Sequence, residues 1–273
     1  MSLSSTETEL ASGKLVLDRP AEAVARLTIR NPEKRNALDH DILGAIATAM
    51  EDLDDGIETR CVIITGSEGM FSAGYDIGDI PDEVFAEEAE RLVAHPFSRA
   101  IEAVERFPFP TVAAINGHAL GGGLELAVTC DLRVAAGGMK LGMPPGKLGL
   151  IYSHTGIQKF LDSVGPARTR ELFFTGRNVT AERAEQIGLV HDAVPPEDLE
   201  RHAVELAAEI AGNAPLSLKG NKRIITELLT FRRLSEKLER EVIELRLSSF
   251  RTEDFREGVR AFGEKRKPRW QGR

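Results

Sequence analysis

Cysteine is nearly absent from this chain. Its two copies, Cys61 and Cys130, show no CxxC spacing, which argues against both a disulfide framework and a zinc-ligating cluster. Positive charge is in deficit: 35 Lys and Arg stand against 43 Asp and Glu, a net charge of −8. An acidic chain is a poor electrostatic partner for nucleic acid or an anionic membrane surface. No stretch approaches the roughly 20 apolar residues that cross a bilayer. The opening "MSLSSTETEL" lacks the basic segment and apolar run of a signal peptide. These absences lead to the expectation of a protein of the reducing cytoplasm, with no resident metal and no nucleic-acid or membrane partner. Phenolic hydroxyls are also scarce. The two tyrosines, Tyr75 and Tyr152, each stand in or beside a glycine-rich turn.

What is present is ordinary for a globular protein: 273 residues, 42% apolar and 29% charged. The first dozen residues are rich in Ser, Thr and Glu and read as disordered. "KLVLD" and "VARLTIR" alternate as strands, and Ile42, Leu43, Ile46, Met50 and Leu53 recur at helical spacing. "CVIITG" is a β-branched run closed by glycine. "PTVAAINGHALGGG" is a strand entering a glycine turn, "GLELAVTC" the helix it opens, and "DLRVAA" the next strand. Strands separated by helical crossovers predict an α/β class with parallel pairing. Thr180 is placed as the N-cap of a helix that Gly188 ends. Past Pro195-Pro196 the patterning is helical. The expected division is a disordered N-terminus over 1–12, an α/β body over 13–195 and a helical C-terminal part over 196–273.

Two glycine turns carry the first chemical signal. "GHALGGGLEL" lies between a strand and a helix, and "GMFSAGYDIGDI" follows the strand at Val62 to Thr65. Three consecutive glycines let a ligand approach the backbone, and N–H groups at a helix start carry partial positive charge. GxGxxG is absent and no P-loop Lys-Ser/Thr follows, so the nucleotide-phosphate readings are weak. Two turns that each aim one N–H at one oxygen suit a developing oxyanion.

The blocks "NPEKRNAL", "FSAGYDI", "INGHALGGGLELAVTCDLRVA", "ELFFTGRNVTAERAEQIGLV" and "FREGVRAFGEKRKPRW" occur in the order and spacing of the crotonase (enoyl-CoA hydratase/isomerase) superfamily, which the chain resembles over nearly its whole length. The resemblance implies a crotonase-like α/β spiral of β-β-α units with a helical C-terminal trimerisation region. It implies a coenzyme A thioester substrate, so that coenzyme A arrives with the substrate rather than as a bound cofactor, and a homotrimer or a dimer of trimers. It puts the oxyanion hole on the backbone N–H groups of Tyr75 and Gly122. Coenzyme A contacts fall on Lys34, Ala73, Asp76, Phe262 and Lys265. The last two lie in a tail that carries seven Lys or Arg and two Glu from Arg256 onward.

Hydratases of this superfamily use two glutamates. Glu125 occupies the first position, whereas the second motif reads Pro144-Pro145, and proline is neither acid nor base. Tyr152 and His154 are the nearby polar candidates to complete the catalytic set. "LGLIYSHTGIQKF" resembles the methylmalonyl-CoA decarboxylase branch, with tyrosine at the position of Tyr152. That branch has histidine where this chain has Tyr75. The expected chemistry is therefore decarboxylase-like lyase chemistry on a short acyl-CoA. The alternatives are hydration or isomerisation resting on Glu125, thioester hydrolysis, or an inactive coenzyme A-binding protein.

Overall fold

The computed structural model describes residues 7–76, 91, 93–230 and 236–271. Its elements run β1 (Thr8–Leu10), β2 (Leu15–Ala21), β3 (Val24–Ile29), α1 (His40–Asp52), β4 (Cys61–Gly66), β5 (Met70–Ser72) and α2 (Ser98–Arg106). They continue with β6 (Thr111–Ile115), β7 (His118–Leu120), α3 (Gly122–Thr129), β8 (Leu132–Ala136), β9 (Lys140–Gly142), α4 (His154–Thr175), β10 (Val179–Thr180) and α5 (Ala181–Gln186). The chain then forms β11 (Asp192–Val194), α6 (Leu199–Ala211), α7 (Pro215–Thr230), α8 (Glu236–Ser249) and α9 (Glu253–Gly263).

These strands make two sheets, ordered β1-β2-β3-β4-β6-β8-β11 and β10-β9-β7-β5. The pairs β4–β5, β6–β7 and β8–β9 each put one strand into the large sheet and the next into the small one. Neighbours in sequence then become neighbours in both sheets, so the backbone advances as a spiral. In the large sheet, pairing from β3 through β11 is parallel, as expected, whereas β1-β2-β3 is antiparallel; in the small sheet β10 pairs antiparallel with β9.

The central strands read as unbroken apolar runs because both of their faces are covered. Val62, Ile64, Ala113 and Ile115 enter the main core with Ile42, Ile46 and Phe71. Their alternates Cys61, Ile63, Val112 and Ala114 meet Ala203, Ala207 and Ala211 of α6 on the other face. Cys61 and Cys130 are buried free thiols, and burial pushes both pKa values up to about 12. Side-chain caps start the helices where capping chemistry predicts. Asp39 accepts from the Ile42 amide, Ser153 from Gly156, Thr180 from Arg183 and Thr252 from Phe255.

One expectation is corrected. Residues 8–10 are not disordered: Thr8–Leu10 pairs with Leu15–Leu17, Leu10 packs on the core, and Glu9 forms an ion pair with Arg30. Polar composition over twelve residues hid a three-residue edge strand that borrows its order from β2. The C-terminal part is helical. Among the described residues no helix is long and apolar enough to cross a membrane.

Candidate active site

Two neighbouring strands of the small sheet deliver the two glycine turns to one place. β5 pairs with β7 in parallel, so the chain leaving β5 and the chain leaving β7 emerge side by side. Gly74 adopts φ +97°, which a side chain resists. A Cβ there would also lie 2.9 Å from Leu120 O and 3.2 Å from Gly122 N. Leu38 bridges the turn: its amide donates to Gly74 O at 2.8 Å, and Asp76 N donates to Leu38 O at 3.2 Å. That pattern leaves the Tyr75 amide unused. Gly122 opens α3, where first-turn amides lack helical partners. Neither amide donates to an acceptor among the described residues.

The Tyr75 ring lies against the Gly122 α-carbon, where a Cβ would sit 2.7 Å from Tyr75 Cε1. Phe97 holds the ring edge-on, with centroids 4.8 Å apart. One turn into α3, Glu125 points inward and is 2% exposed. The Tyr152 hydroxyl donates to Glu125 Oε2 and lies 3.5 Å from the Tyr75 hydroxyl, the long limit for a hydrogen bond. Phe173 braces the Tyr152 ring edge-on at 5.5 Å. Gly156 makes room for the pair: a Cβ there would be 2.7 Å from Tyr152 Cε1 and 2.9 Å from Glu125 Oε1.

Burial raises the Glu125 pKa above the usual carboxylate value, against the hydrogen bond from Tyr152 and the charges of Lys159 and Arg246, which pull it down. Burial and the neighbouring Glu125 charge push the Tyr152 phenol well up, and Tyr75 follows for the same two reasons. Both phenols therefore stay protonated as neutral donors, while burial makes Glu125 hold a proton more readily than an ordinary carboxylate. A carboxyl that can carry a proton thus sits beside two unused amides.

β9 runs alongside β7, and Gly121 N donates to Gly142 O at 2.9 Å. The turn after β9 consequently lies next to the start of α3. It carries Pro144 and buried Pro145 and contributes no carboxylate. His154 does not join the constellation. It begins α4, and its Nε2 faces Glu239 Oε1 of α8 at 3.4 Å. Among the expected coenzyme A contacts, Lys34 forms an ion pair with Asp76 at 2.8 Å, and Ala73 N donates to Arg35 O, so these three positions share one rim. Phe262 is exposed at the end of α9, and Lys265 follows it with φ +54°. Gly156, Phe97, Phe173 and Arg246 were not among the sequence candidates. Only the glycine of "SHTG" carried a local signal for its place.

Two free amides at adjoining glycine turns, with a buried carboxyl one helical turn away, form a polar cluster of the kind that can accept an oxyanion. The sequence pattern of the enoyl-CoA hydratase/isomerase family matches residues 19–273, and the chain belongs to that family. It is an acyl-CoA-processing enzyme of the crotonase superfamily. It is 36% identical over 262 residues to the crotonyl-CoA hydratase of Syntrophomonas wolfei, covering 94% of this chain and 98% of that one. It is 35% identical to the short-chain-enoyl-CoA hydratase of Clostridium acetobutylicum, covering 89% of this chain and 92% of the relative. In three dimensions it is similar to methylmalonyl-CoA decarboxylase in complex with 2-nitronate-propionyl-CoA, with a TM-score of 0.86 and 28% identity. That match covers 95% of this chain and 99% of that one.

Proposed function

We propose that the chain is a decarboxylase-like acyl-CoA lyase acting on a short acyl group with a carboxylate at the carbon next to the thioester carbonyl. The observation that carries this reading is the Tyr152 hydroxyl, set between Glu125 and Tyr75, while the 144–145 turn supplies prolines and no second carboxylate. The bond between that carbon and its carboxylate breaks, carbon dioxide leaves, and the electron pair becomes the thioester enolate. The Tyr75 and Gly122 amides hold the enolate oxygen. One such donor is worth roughly 3–4 kcal/mol in related oxyanion sites. A proton drawn from solvent through Glu125 then adds to carbon, with Tyr152 orienting the carboxyl and remaining protonated. Lys34, Ala73 and Asp76 form one rim for the coenzyme A moiety, with Phe262 and Lys265 as further contacts.

The test is incubation with malonyl-, methylmalonyl- and crotonyl-CoA, followed by mass spectrometry. The expected products are acetyl-CoA and propionyl-CoA, with one deuterium per turnover in heavy water. Hydration of crotonyl-CoA at a rate matching or exceeding carbon dioxide release overturns the reading. Enoyl-CoA hydration or double-bond isomerisation resting on Glu125 is the second reading: the hydratase names of the relatives support hydration, and Glu125 as a single proton carrier supports isomerisation. The assembly that accompanies the reading is a homotrimer or a pair of trimers, in line with the exposed Leu216, Ile224, Ile225 and Leu228 of α7.

A further inference from the structure

Among the described residues, one cation near the site lacks a counter-ion. Arg246 stands on α8, and its guanidinium lies over the Phe250 ring, 5.9 Å from the centroid. Phe250 and Phe255 form a small core against which Tyr75 packs, so Arg246, Phe250 and Tyr75 are contiguous. The helix is pinned to the entry of α4 at two points: Ile151 N donates to Ser249 Oγ at 3.1 Å, and His154 faces Glu239. Arg246 Nε is buried with no acceptor, and among the described residues no carboxylate forms an ion pair with its guanidinium. Its charge reaches both Glu125 and Tyr75, lowering the pKa of each.

A half-buried guanidinium without a counter-ion is an expensive arrangement, and an incoming anion relieves it. The enolate oxygen already has two amides, and the coenzyme A phosphates are assigned to the Lys34 rim and the tail. The remaining source of negative charge is the acyl group. We propose that Arg246 anchors a carboxylate on the acyl portion of the substrate, which makes the substrate class acyl-CoA thioesters with an anionic acyl group. This inference rests on the acyl-CoA site above and names the specificity residue within it.

The sign of its kinetic effect follows. An ion pair made with the bound carboxylate weakens as that group becomes neutral carbon dioxide, so it favours binding and does not favour the chemical step. Removing the charge should raise KM while kcat stays level or rises. A merely structural Arg246 would lower kcat and weaken all thioesters together.

Sulfoacetyl-CoA bears the charge of a malonyl thioester and has no carbon dioxide to lose; acetyl-CoA is its neutral counterpart. Titration calorimetry on the wild-type protein should show sulfoacetyl-CoA binding roughly 10- to 100-fold tighter, the range of a charge-assisted hydrogen bond. Arg246→Met should abolish that preference with acetyl-CoA affinity unchanged, and Arg246→Lys should keep part of it. Equal affinities in the wild type, or a preference indifferent to residue 246, overturn the proposal, and the wild-type comparison needs no variant to fold. If malonyl-CoA is not decarboxylated while the preference persists and depends on Arg246, the lyase reading fails and the anchor stands.

Discussion

The Tyr152 hydroxyl donates to Glu125 Oε2 across 27 residues of sequence, joining α3 to the segment that enters α4. This hydrogen bond lowers the Glu125 pKa against the rise caused by burial. Tyr152→Phe removes the donor, so the Glu125 pKa climbs further. The expected result is a fall in kcat of roughly 100-fold, with the limb of the pH–rate profile set by Glu125 displaced to higher pH. An unmoved limb would show that Tyr152 does not act on Glu125.

Burial also makes Glu125 a pH-dependent cost to the fold. Its carboxyl pKa is raised above the ordinary 4.5, so the folded chain holds this proton more tightly than the unfolded one. The stability gained is present below the unfolded value and drains away as pH rises through the folded value. Above that, the wild type buries a charge. Glu125→Gln keeps an acceptor for Tyr152 and removes the ionisation. Its Tm relative to wild type should therefore increase as pH rises above the ordinary carboxylate value, at ~2–4 °C per kcal/mol relieved. Thermal melts across a pH series check it, and a pH-independent difference contradicts the burial argument.

Gly156 gives a steric test of the same contact. The Cβ of Gly156→Ala would meet Tyr152 at 2.7 Å and Glu125 at 2.9 Å, forcing the two apart. Overpacking of this kind costs roughly 1–3 kcal/mol. Activity should fall at least tenfold while the circular dichroism spectrum stays native. Wild-type turnover from this variant would mean that the spacing of Glu125 and Tyr152 does not matter to the reaction.

How much of this was readable beforehand depends on range. β4 and β6 were legible because both faces are buried, which leaves a local, unbroken apolar signature. β5, β7 and β9 have three residues each, too few for a period to show among glycines. Glu125 was legible from its place in a glycine turn, but its meeting with Tyr152 is set by two helices that come together only in the fold. His154 shows the opposite error. It stands two residues from Tyr152, yet the Ser153 cap starts a helix there and the ring turns toward Glu239. Arg246 was hidden because a charge on a polar helix reads as solvated, and only the docking of α8 on Ile151 and His154 brings it inside.

The exposed apolar residues of α7 bear on assembly. Ile224, Ile225 and Leu228 are each more than half exposed, and contiguous apolar surface of this kind marks an interface. Light scattering should give the mass of three or six chains. The double variant Ile224→Glu, Leu228→Glu should dissociate that assembly; a wild-type monomer would refute it.

The prolines after β9 provide the last test, because they separate two reactions on one scaffold. β9 lies alongside β7, so the turn at Pro144-Pro145 sits beside the helix that carries Glu125. Hydration needs two carboxyl groups, one to activate water and one to move a proton. Pro145→Glu introduces a carboxylate into that turn. Proline there is the first residue of a short 3₁₀ turn, a position where its missing amide hydrogen costs nothing and a glutamate is also tolerated. The variant should gain hydration of crotonyl-CoA at least tenfold over wild type, read by loss of the conjugated thioester absorbance. Its carbon dioxide release from malonyl-CoA should fall, because a carboxylate beside the substrate's own repels it. If the new glutamate leaves both rates untouched, the 144–145 turn does not face the reacting carbon, and the absence of a second glutamate cannot be what sets the chemistry of this site.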